Sequence, residues 1–590
     1  MSAPTNEPAG RALSDHHAQR GFLRTWIITV DHKVIGIQYL VASSAMLLFG
    51  GLLAMAIRWQ LAWPWTEMPI VGQLVFGESG RVISPAAYTA LFTMHGTAMV
   101  FFAILPLLTG AFGNYLVPLL VGAPDMAFPR LNAASFWIFL AAMGLFLAGF
   151  FVEGGAADSG WTAYPPLATL PSAAPGSGAG QTLWLLAIVV LGVSSVLNSL
   201  NAVVTVVKMR APGMTWMRLP LTVWGLLVAS ALQLAALPVL TAGGVLQLSD
   251  RIVGTAFYTP AGLLVNSVAP EVAGAGGSPL LWQHLFWFYS HPAVYVMVLP
   301  AMGFVSDILS VNARKPVFGY KPMVWAIGSI AGLGLIVWGH HMFTSGLGFE
   351  MGRAFMLSTM LIALPSAVKT FNWIATIWGG RIRLTAAMCF ALGFVALFVI
   401  GGLSGLWLAA TPVDVYLHDT YLVVAHFHYI VFGGTVLAVF AALHHWLPKM
   451  TGRALNETLG RWHFLGTFVA LNCVFLPMHQ LGIAGMIRRT ADPSVYRLYE
   501  HLAPLNRFVT WSAFVLAAWQ LLFVVNVLWS LRSGTRVGRN PWEATTLEWD
   551  APSPPGHGNF DRDLVVDCGP YEYGDAAGAR DFRPQARART

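Results

Sequence analysis

The sequence predicts an all-α integral membrane protein with twelve transmembrane helices, and three observations carry that prediction. Hydrophobic residues make up 56% of the 590-residue chain and charged residues only 10%. Mean hydropathy is +0.63, which with the composition excludes an ordinary soluble protein. Apolar runs of about 20 residues, the length a helix needs to cross a ~30 Å hydrocarbon core, recur along nearly the whole chain.

Residues 1–22 are polar and show no cleavable signal pattern, so residues 1–34 are expected to form a cytoplasmic N-terminal segment. The twelve spans are expected at 35–57, 88–119, 134–152, 182–206, 222–247, 283–309, 323–345, 354–378, 385–410, 421–446, 463–484 and 508–530. Lys33, Lys208, Lys315, Lys321 and Lys449 fall on one side of an N-inside path, with Arg210, Arg314, Arg381, Arg383 and Arg453, as a cytoplasmic face requires. The opposite loops carry Glu67, Glu78, Glu153, Asp158, Asp250 and Asp414. Two features break the pattern: Lys369 lies within a span, and Arg488 and Arg489 lie on the acidic side. Residues 531–590 are rich in Pro, Gly and charge and predict a cytoplasmic tail of loop or partly disordered chain. The pI of about 9.4 reflects these loops and ends. No basic stripe interleaved with aromatics suggests nucleic acid. Cys389, Cys473 and Cys568 are too far apart to suggest a disulfide framework or a clustered metal site.

Six histidines lie well inside predicted spans: His95, His291, His340, His341, His426 and His428. One alone is accounted for by helix–helix hydrogen bonding. Six together point to metal, because neutral imidazole is the commonest metal ligand. A helix advances about 100° per residue, so His426 and His428 point about 200° apart and cannot share an ion. They can serve two centres on opposite sides of one helix, with His95 completing an axial pair for one of them. His340 and His341 diverge by about 100° and can both reach one metal between helices, with His291 as a third ligand.

TMHG, HPAVY, WGHHMFTSG and HDTYLVVAHFHY, in this order, resemble the catalytic subunit I of heme–copper oxygen reductases, over roughly residues 20 to 560. The resemblance implies that 35–530 is the catalytic domain. His95 and His428 would be axial ligands of a low-spin heme, His426 the ligand of the oxygen-binding heme, and His291, His340 and His341 the ligands of copper B. Tyr295, one turn from His291, would be the catalytic tyrosine, covalently linked to that histidine. Arg488 and Arg489 would bind heme propionates through charge-assisted bonds, with Trp161 nearby. Arg58 would lie near the formyl group of a low-spin heme A. His418 and Asp419 would hold a magnesium ion at the interface with subunit II.

The resemblance also implies two proton routes. Lys369, with Ser366 and Ser306, matches the K-channel leading toward the tyrosine. Asp125, with Asn114, Asn132, Asn201, Ser194 and Ser195, matches the mouth and lining of the D-channel. Most relatives carry a glutamate where this chain has Ala293. Tyr289 and Ser290 match a branch, within type A, that has Tyr-Ser instead, and they are expected to relay the proton.

The implied activity is that of a cytochrome c oxidase: reduction of oxygen to water with proton pumping, in a bacterial-type inner membrane with both termini cytoplasmic. Expected partners are subunit II carrying the dinuclear copper site, subunit III and small subunits, with cytochrome c as donor. A quinol-oxidising relative would carry His and Gln at the positions of Ala87 and Ala90. Nitric oxide reductase shares the six histidines but lacks the embedded tyrosine and the lysine route. A twelve-span transporter, the rival from another class, would contain no heme.

Overall fold

In a hydrocarbon interior the backbone must satisfy its own hydrogen bonds, and this chain does so in long helices. The computed structural model describes residues 21–69, 72, 82–173, 178–265, 268, 276–574 and 581–588. The first 20 residues of the expected N-terminal segment, and Glu78, lie outside these.

Among the described residues eleven helices are long and apolar enough to span a membrane. They are α1 (His32–Ala62), α2 (Pro85–Val121), α3 (Pro129–Phe151), α4 (Ala179–Lys208), α5 (Leu221–Val253), α6 (Pro279–Ala313), α8 (Phe349–Ile377), α9 (Ala386–Ala409), α10 (Tyr421–Thr451), α11 (Glu457–Ile483) and α12 (Arg497–Ser533). Several of their starts carry side-chain caps. Ser84 accepts from Ala87 N at 3.1 Å, Thr385 from Met388 N at 3.1 Å and Asn456 from Leu459 N at 3.0 Å.

The expected span 323–345 is built differently. It is a 15-residue helix, α7 (Tyr320–Gly334), followed by the 3₁₀ turn Trp338–Met342. Fifteen residues rise only about 22 Å. Glycine explains the break: a Cβ on Gly334 would come within 2.6 Å of the Tyr295 ring, and one on Gly339 within 2.2 Å of Phe355. Close packing demands glycine there, and glycine weakens the helix. The turn that results carries His340 and His341.

Two helices leave the α ladder where the site is built. α2 passes through π turns at Ala98–Ile104 and Pro106–Phe112, the second beginning at a proline that has no N–H to donate. α10 does so at Tyr429–Val436, immediately after His428. α6 is the most enclosed helix, whereas α8 and α12 present apolar side chains such as Phe371 and Leu528 outward. α5 and α6 touch backbone to backbone, since a Cβ on Gly225 would meet Leu299 O at 2.5 Å and one on Gly303 would meet Leu221 O at 2.6 Å.

The tail, expected as loop or partly disordered chain, is instead folded onto one end of the bundle. Leu564–Val566 pairs antiparallel with Ala586–Ala588, a small sheet added to the helical fold. Apolar Leu547, Trp549, Leu564, Val566 and Tyr571 are buried, which supplies the core that a reading of Pro, Gly and charge content overlooked. The tail touches each basic segment assigned to the cytoplasmic face. Val566 N donates to Pro212 O at 2.9 Å, Arg314 Nε to Asp581 Oδ2 at 3.0 Å, and Lys449 Nζ to Ala551 O at 2.7 Å. Asn559, held at φ 71°, receives Lys33 Nζ at 3.0 Å, contacts His32 Nε2 at 3.0 Å and donates to Ala123 O at 2.8 Å.

Replacing Asn559 by Ala removes the partner of His32 Nε2 and the donor to Ala123 O, while Lys33 Nζ keeps Asp31 Oδ1 at 3.0 Å. Asn559→Ala is expected to cost about 1–3 kcal/mol, read as a lower denaturation midpoint in detergent. An unchanged midpoint would mean that the tail rests on the bundle without stabilising it.

Candidate metal and cofactor site

Within the bundle lies a cavity of about 1460 Å³, larger than the ~300–1,000 Å³ typical of a single ligand. All six intramembrane histidines line it, with Arg58, Trp161, Tyr295, Arg488 and Arg489.

Three of the imidazoles are prepared in the same way. His95 Nδ1 donates to Gly50 O at 2.8 Å, His428 Nδ1 to Val424 O at 2.8 Å and His426 Nδ1 to Gly401 O at 2.9 Å. A carbonyl can only accept, so each proton sits on Nδ1 and each Nε2 keeps its lone pair for a ligand. The argument from helical geometry also holds. Of the two α10 histidines, His426 is close enough to His340 for their charges to interact, and His428 close enough to His95. His428 stacks on Phe475 with centroids 4.4 Å apart, and His426 lies against Gly405, where a Cβ would come within 2.8 Å of the ring.

The other three converge on one another. Ligand atoms of His291, His340 and His341 all lie within 4.8 Å of each other, and His291 Nε2 is buried without a partner. His340 Nδ1 contacts Thr359 Oγ1 at 3.1 Å, and His341 stacks on Trp287 at 3.8 Å with planes 12° apart. Trp287 in turn donates to Tyr164 OH at 2.6 Å. The Tyr295 ring lies 4.8 Å from that of His291. Three imidazoles at this spacing suit a first-row transition ion with an open position.

Three arginines bring cations to the cavity. Arg58 is held by Asn506 O at 2.9 Å and Thr510 Oγ1 at 2.8 Å, and its Nη1 is buried without a partner. Arg489 likewise keeps a buried Nη2 free, and burial with Arg488 alongside brings its guanidinium down to about 10. Free guanidinium donors suit an anionic or carbonyl group on a large cofactor. Trp161 packs on Gly96, whose Cβ would meet its ring at 3.1 Å. Asp419, at φ 56°, accepts from Arg488 Nε at 2.6 Å. Burial raises the Asp419 carboxyl, but Arg488 and then Arg489 hold it below the usual range. His418 Nδ1 is 3.0 Å from Asp414 Oδ2. His418 and Asp419 are therefore already engaged within the chain.

The polar residues expected to move protons occupy two tracks. In the first, burial pushes Asp125 up to about 6. Asn201 exchanges hydrogen bonds with both the N–H and C=O of Phe128 at 2.9 and 3.1 Å, and Asn114 donates to Asn198 Oδ1 at 3.2 Å. Both side-chain polar atoms of Asn132 are buried without partners. Ser194 donates to Ser135 O at 2.6 Å, and Ser195, half-buried, points elsewhere on the helix. Higher up, Ser199 donates to Gln233 Oε1 at 3.0 Å, and Gln233 meets the Tyr289 hydroxyl. Tyr289 is buried beside Phe101, whereas Ser290 and Ala293 line the cavity.

The second track holds Lys369, buried with Nζ unpartnered and 5.2 Å from the centroid of the Trp373 ring. It does not snorkel. Trp373 Nε1 donates to Ser306 Oγ at 2.8 Å, and half-buried Ser366 lines the cavity.

Sequence reasoning missed Asn198, Gln233, Trp287, Thr359 and the carbonyls of Gly50 and Gly401. Trp287, one turn from His291, was the single member with a visible signal. The others act through helix packing, which no spacing within one segment reveals.

Three comparisons bear on this site. Residues 34–515 match the family described as cytochrome c and quinol oxidase polypeptide I. The chain is 46% identical over 568 residues to "Cytochrome c oxidase subunit 1" of Synechocystis, covering 96% of each chain. It is 44% identical over 571 residues to "Alternative cytochrome c oxidase subunit 1" of Bradyrhizobium diazoefficiens, covering 96% of this chain and 93% of that one. A heme–copper terminal oxidase dimer solved by cryo-electron microscopy shares the fold with a TM-score of 0.65 at 19% identity, over 86% of this chain and 85% of that one.

If the three-histidine set binds a transition ion, His340→Ala should lower the metal content by about one ion per chain, measured by plasma mass spectrometry. An unchanged content would place the metal elsewhere.

Proposed function

The chain belongs to the cytochrome c and quinol oxidase polypeptide I family, and from that premise we propose that it is the catalytic subunit I of a respiratory cytochrome c oxidase. It carries out the four-electron reduction of oxygen to water. The observation that bears most weight is the three-histidine cluster, which lies with Tyr295 on a cavity that also receives His426.

His95 and His428 hold a low-spin heme, His426 an oxygen-binding heme, and His291, His340 and His341 copper B. The fit is supported by three Nε2 atoms aimed into the cavity by carbonyl-bound Nδ1 groups and by the free Nε2 of His291. When bound, these groups supply the redox chemistry and the coordination positions at which oxygen is reduced. Tyr295 holds a proton at its phenolic oxygen beside the cluster, its ring 4.8 Å from that of His291. Arg488 and Arg489 would hold propionates with Trp161 nearby, and Arg58 with its free Nη1 would donate to a formyl oxygen, which favours heme A.

Magnesium is assigned to His418 and Asp419 with completing ligands from another subunit, because both side chains already have partners within this chain. Subunit II supplies the dinuclear copper site, subunit III and small subunits complete the complex, and cytochrome c is the donor. Ala87 and Ala90 offer no polar group for a quinol. Both termini lie in the cytoplasm of a bacterial-type inner membrane, supported by the tail's contacts with Lys33, Arg314 and Lys449 at one end of the bundle.

Protons enter by two routes and are also pumped. Asp125, with a value near 6, can load and release a proton close to neutral pH. Asn114, Asn132, Asn201 and Ser194 pass it toward Gln233 and Tyr289, and Ser290 offers its free hydroxyl to the cavity. Lys369, with Ser306 and Ser366, serves Tyr295.

Two measurements test this reading. His426→Ala should abolish carbon monoxide binding and largely spare the low-spin absorption band; the reverse pattern would show the two heme ligands to be exchanged. Tyr289→Phe should keep both heme spectra and lower turnover and pumping by about ten-fold or more, with partial recovery on adding Ala293→Glu. Turnover at the parent rate would remove Tyr289 from the route.

A further inference from the structure

Asp307 follows Ser306 on α6, and neither proton route described above uses it. It is buried. Its Oδ1 accepts a hydrogen bond from the Tyr571 hydroxyl, which the tail inserts between α5 and α6. The same hydroxyl accepts from Leu221 N at 2.7 Å. Oδ2 of Asp307 is buried and makes no hydrogen bond, a costly arrangement for a carboxylate unless the atom has something to do.

The charge of Asp307 acts on Lys369. Nζ of that residue is also buried without a partner, and the Asp307 carboxylate lies near enough to act on it through space. Trp373 joins the two positions: its ring lies 5.2 Å from Lys369 Nζ, and its Nε1 donates to Ser306 beside Asp307 at 2.8 Å. A buried acid and base kept for stability would close on each other with their remaining sites filled. Here each keeps a polar atom free. The arrangement therefore suits exchange of a proton better than storage of an ion pair.

We propose that Asp307 is the proton-relay acid that feeds Lys369, with Tyr571 of the C-terminal tail as its cover. The proposal rests on the reading of Lys369 as a proton carrier to Tyr295. For each proton delivered, Asp307 takes one at Oδ2 and becomes the neutral acid. It then passes the proton to Lys369 Nζ, which restores the carboxylate, and Lys369 releases it inward. Only O–H and N–H bonds form and break, and no charge accumulates.

Four titratable groups face Asp307. Lys369 lies on α8 and Tyr320 at the start of α7, where its hydroxyl donates to Leu219 O at 2.6 Å. Tyr571 and Glu548 come from the tail. Glu548 accepts from Trp446 Nε1 at 3.2 Å, keeps Oε2 free, and is pushed up to about 7 by burial. The tail thus places a second buried acid near Asp307.

The test uses the assembled oxidase, with Lys369→Met, Asp307→Asn, Asp307→Glu and Tyr571→Phe compared by stopped-flow reduction of the oxygen-binding heme and by reduction-induced infrared difference spectra. Asp307→Asn is expected to slow that reduction roughly hundred-fold with unaltered heme spectra, and Asp307→Glu to recover most of the rate. A carboxyl C=O band should respond to reduction, disappear in Asp307→Asn and move in Tyr571→Phe. Parent-like kinetics in Asp307→Asn, with Lys369→Met slow, would overturn this proposal and leave the lysine route standing. Fast reduction in Lys369→Met would overturn both. A slow Asp307→Asn whose carboxyl band is missing from the parent spectrum would make Asp307 an anchor for the tail and end the relay proposal.

Discussion

A hydrogen bond from imidazole Nδ1 to a backbone carbonyl is the interaction on which the catalytic cavity depends. Inside a membrane an imidazole has no water to choose its tautomer. The Gly50, Val424 and Gly401 carbonyls make that choice for His95, His428 and His426, and each Nε2 is left facing the cavity. Two of these carbonyls come from neighbouring helices, so the bond also sets how closely those helices approach. Glycine permits the approach: a Cβ on Gly401 would meet Ile430 at 2.7 Å, and one on Gly50 would meet Met99 at 3.1 Å. Ligand orientation and helix packing are thus one constraint.

The three-histidine cluster is solved by different means. His340 and His341 come from a 3₁₀ turn, so neither ring is bound by an α-helical ladder. Trp287 by stacking and Thr359 by contact fix their orientation instead. The break in α7 that frees this turn follows from Gly334, which makes room for Tyr295. The residue that lies beside the cluster therefore also helps to create the backbone that carries it. This mutual dependence explains why the seventh span is short.

Much of this was legible in sequence. Composition and apolar runs located eleven long helices, because a bilayer permits little else, although α12 begins at Arg497, well before the expected 508. The two-residue separation of His426 and His428 correctly assigned them to opposite sides of α10, since that inference needs only helical geometry. Its limits have physical causes. The broken seventh helix depends on glycines whose role is to accept side chains from other helices, and apolar content hides that. The tail's fold escaped notice because its buried residues are scattered among prolines, glycines and charges, and its core is completed by α5, α6 and α10. Asp307 drew no attention because a carboxylate near a helix end is ordinary until its neighbours are known.

The two proton tracks differ in how they avoid burying a permanent charge. Along the first, Asp125 is the acid at the mouth, and the groups beyond it are amides and hydroxyls that can pass a proton without holding one. Ala293 at the inner end continues this pattern, and Tyr289, one turn earlier on the same helix and outside the cavity lining, extends it. A proton on this track must cross α6 near Ser290, whose hydroxyl is buried and free. The second track, as proposed, takes the opposite course: a buried carboxyl acts through space on a buried amine, so that a charge on one is offset by the other. Neutral relays suit a path that must remain passable throughout turnover. An acid and base that compensate each other suit a path that carries a proton only when an electron arrives, because the field of that electron is what unbalances the pair.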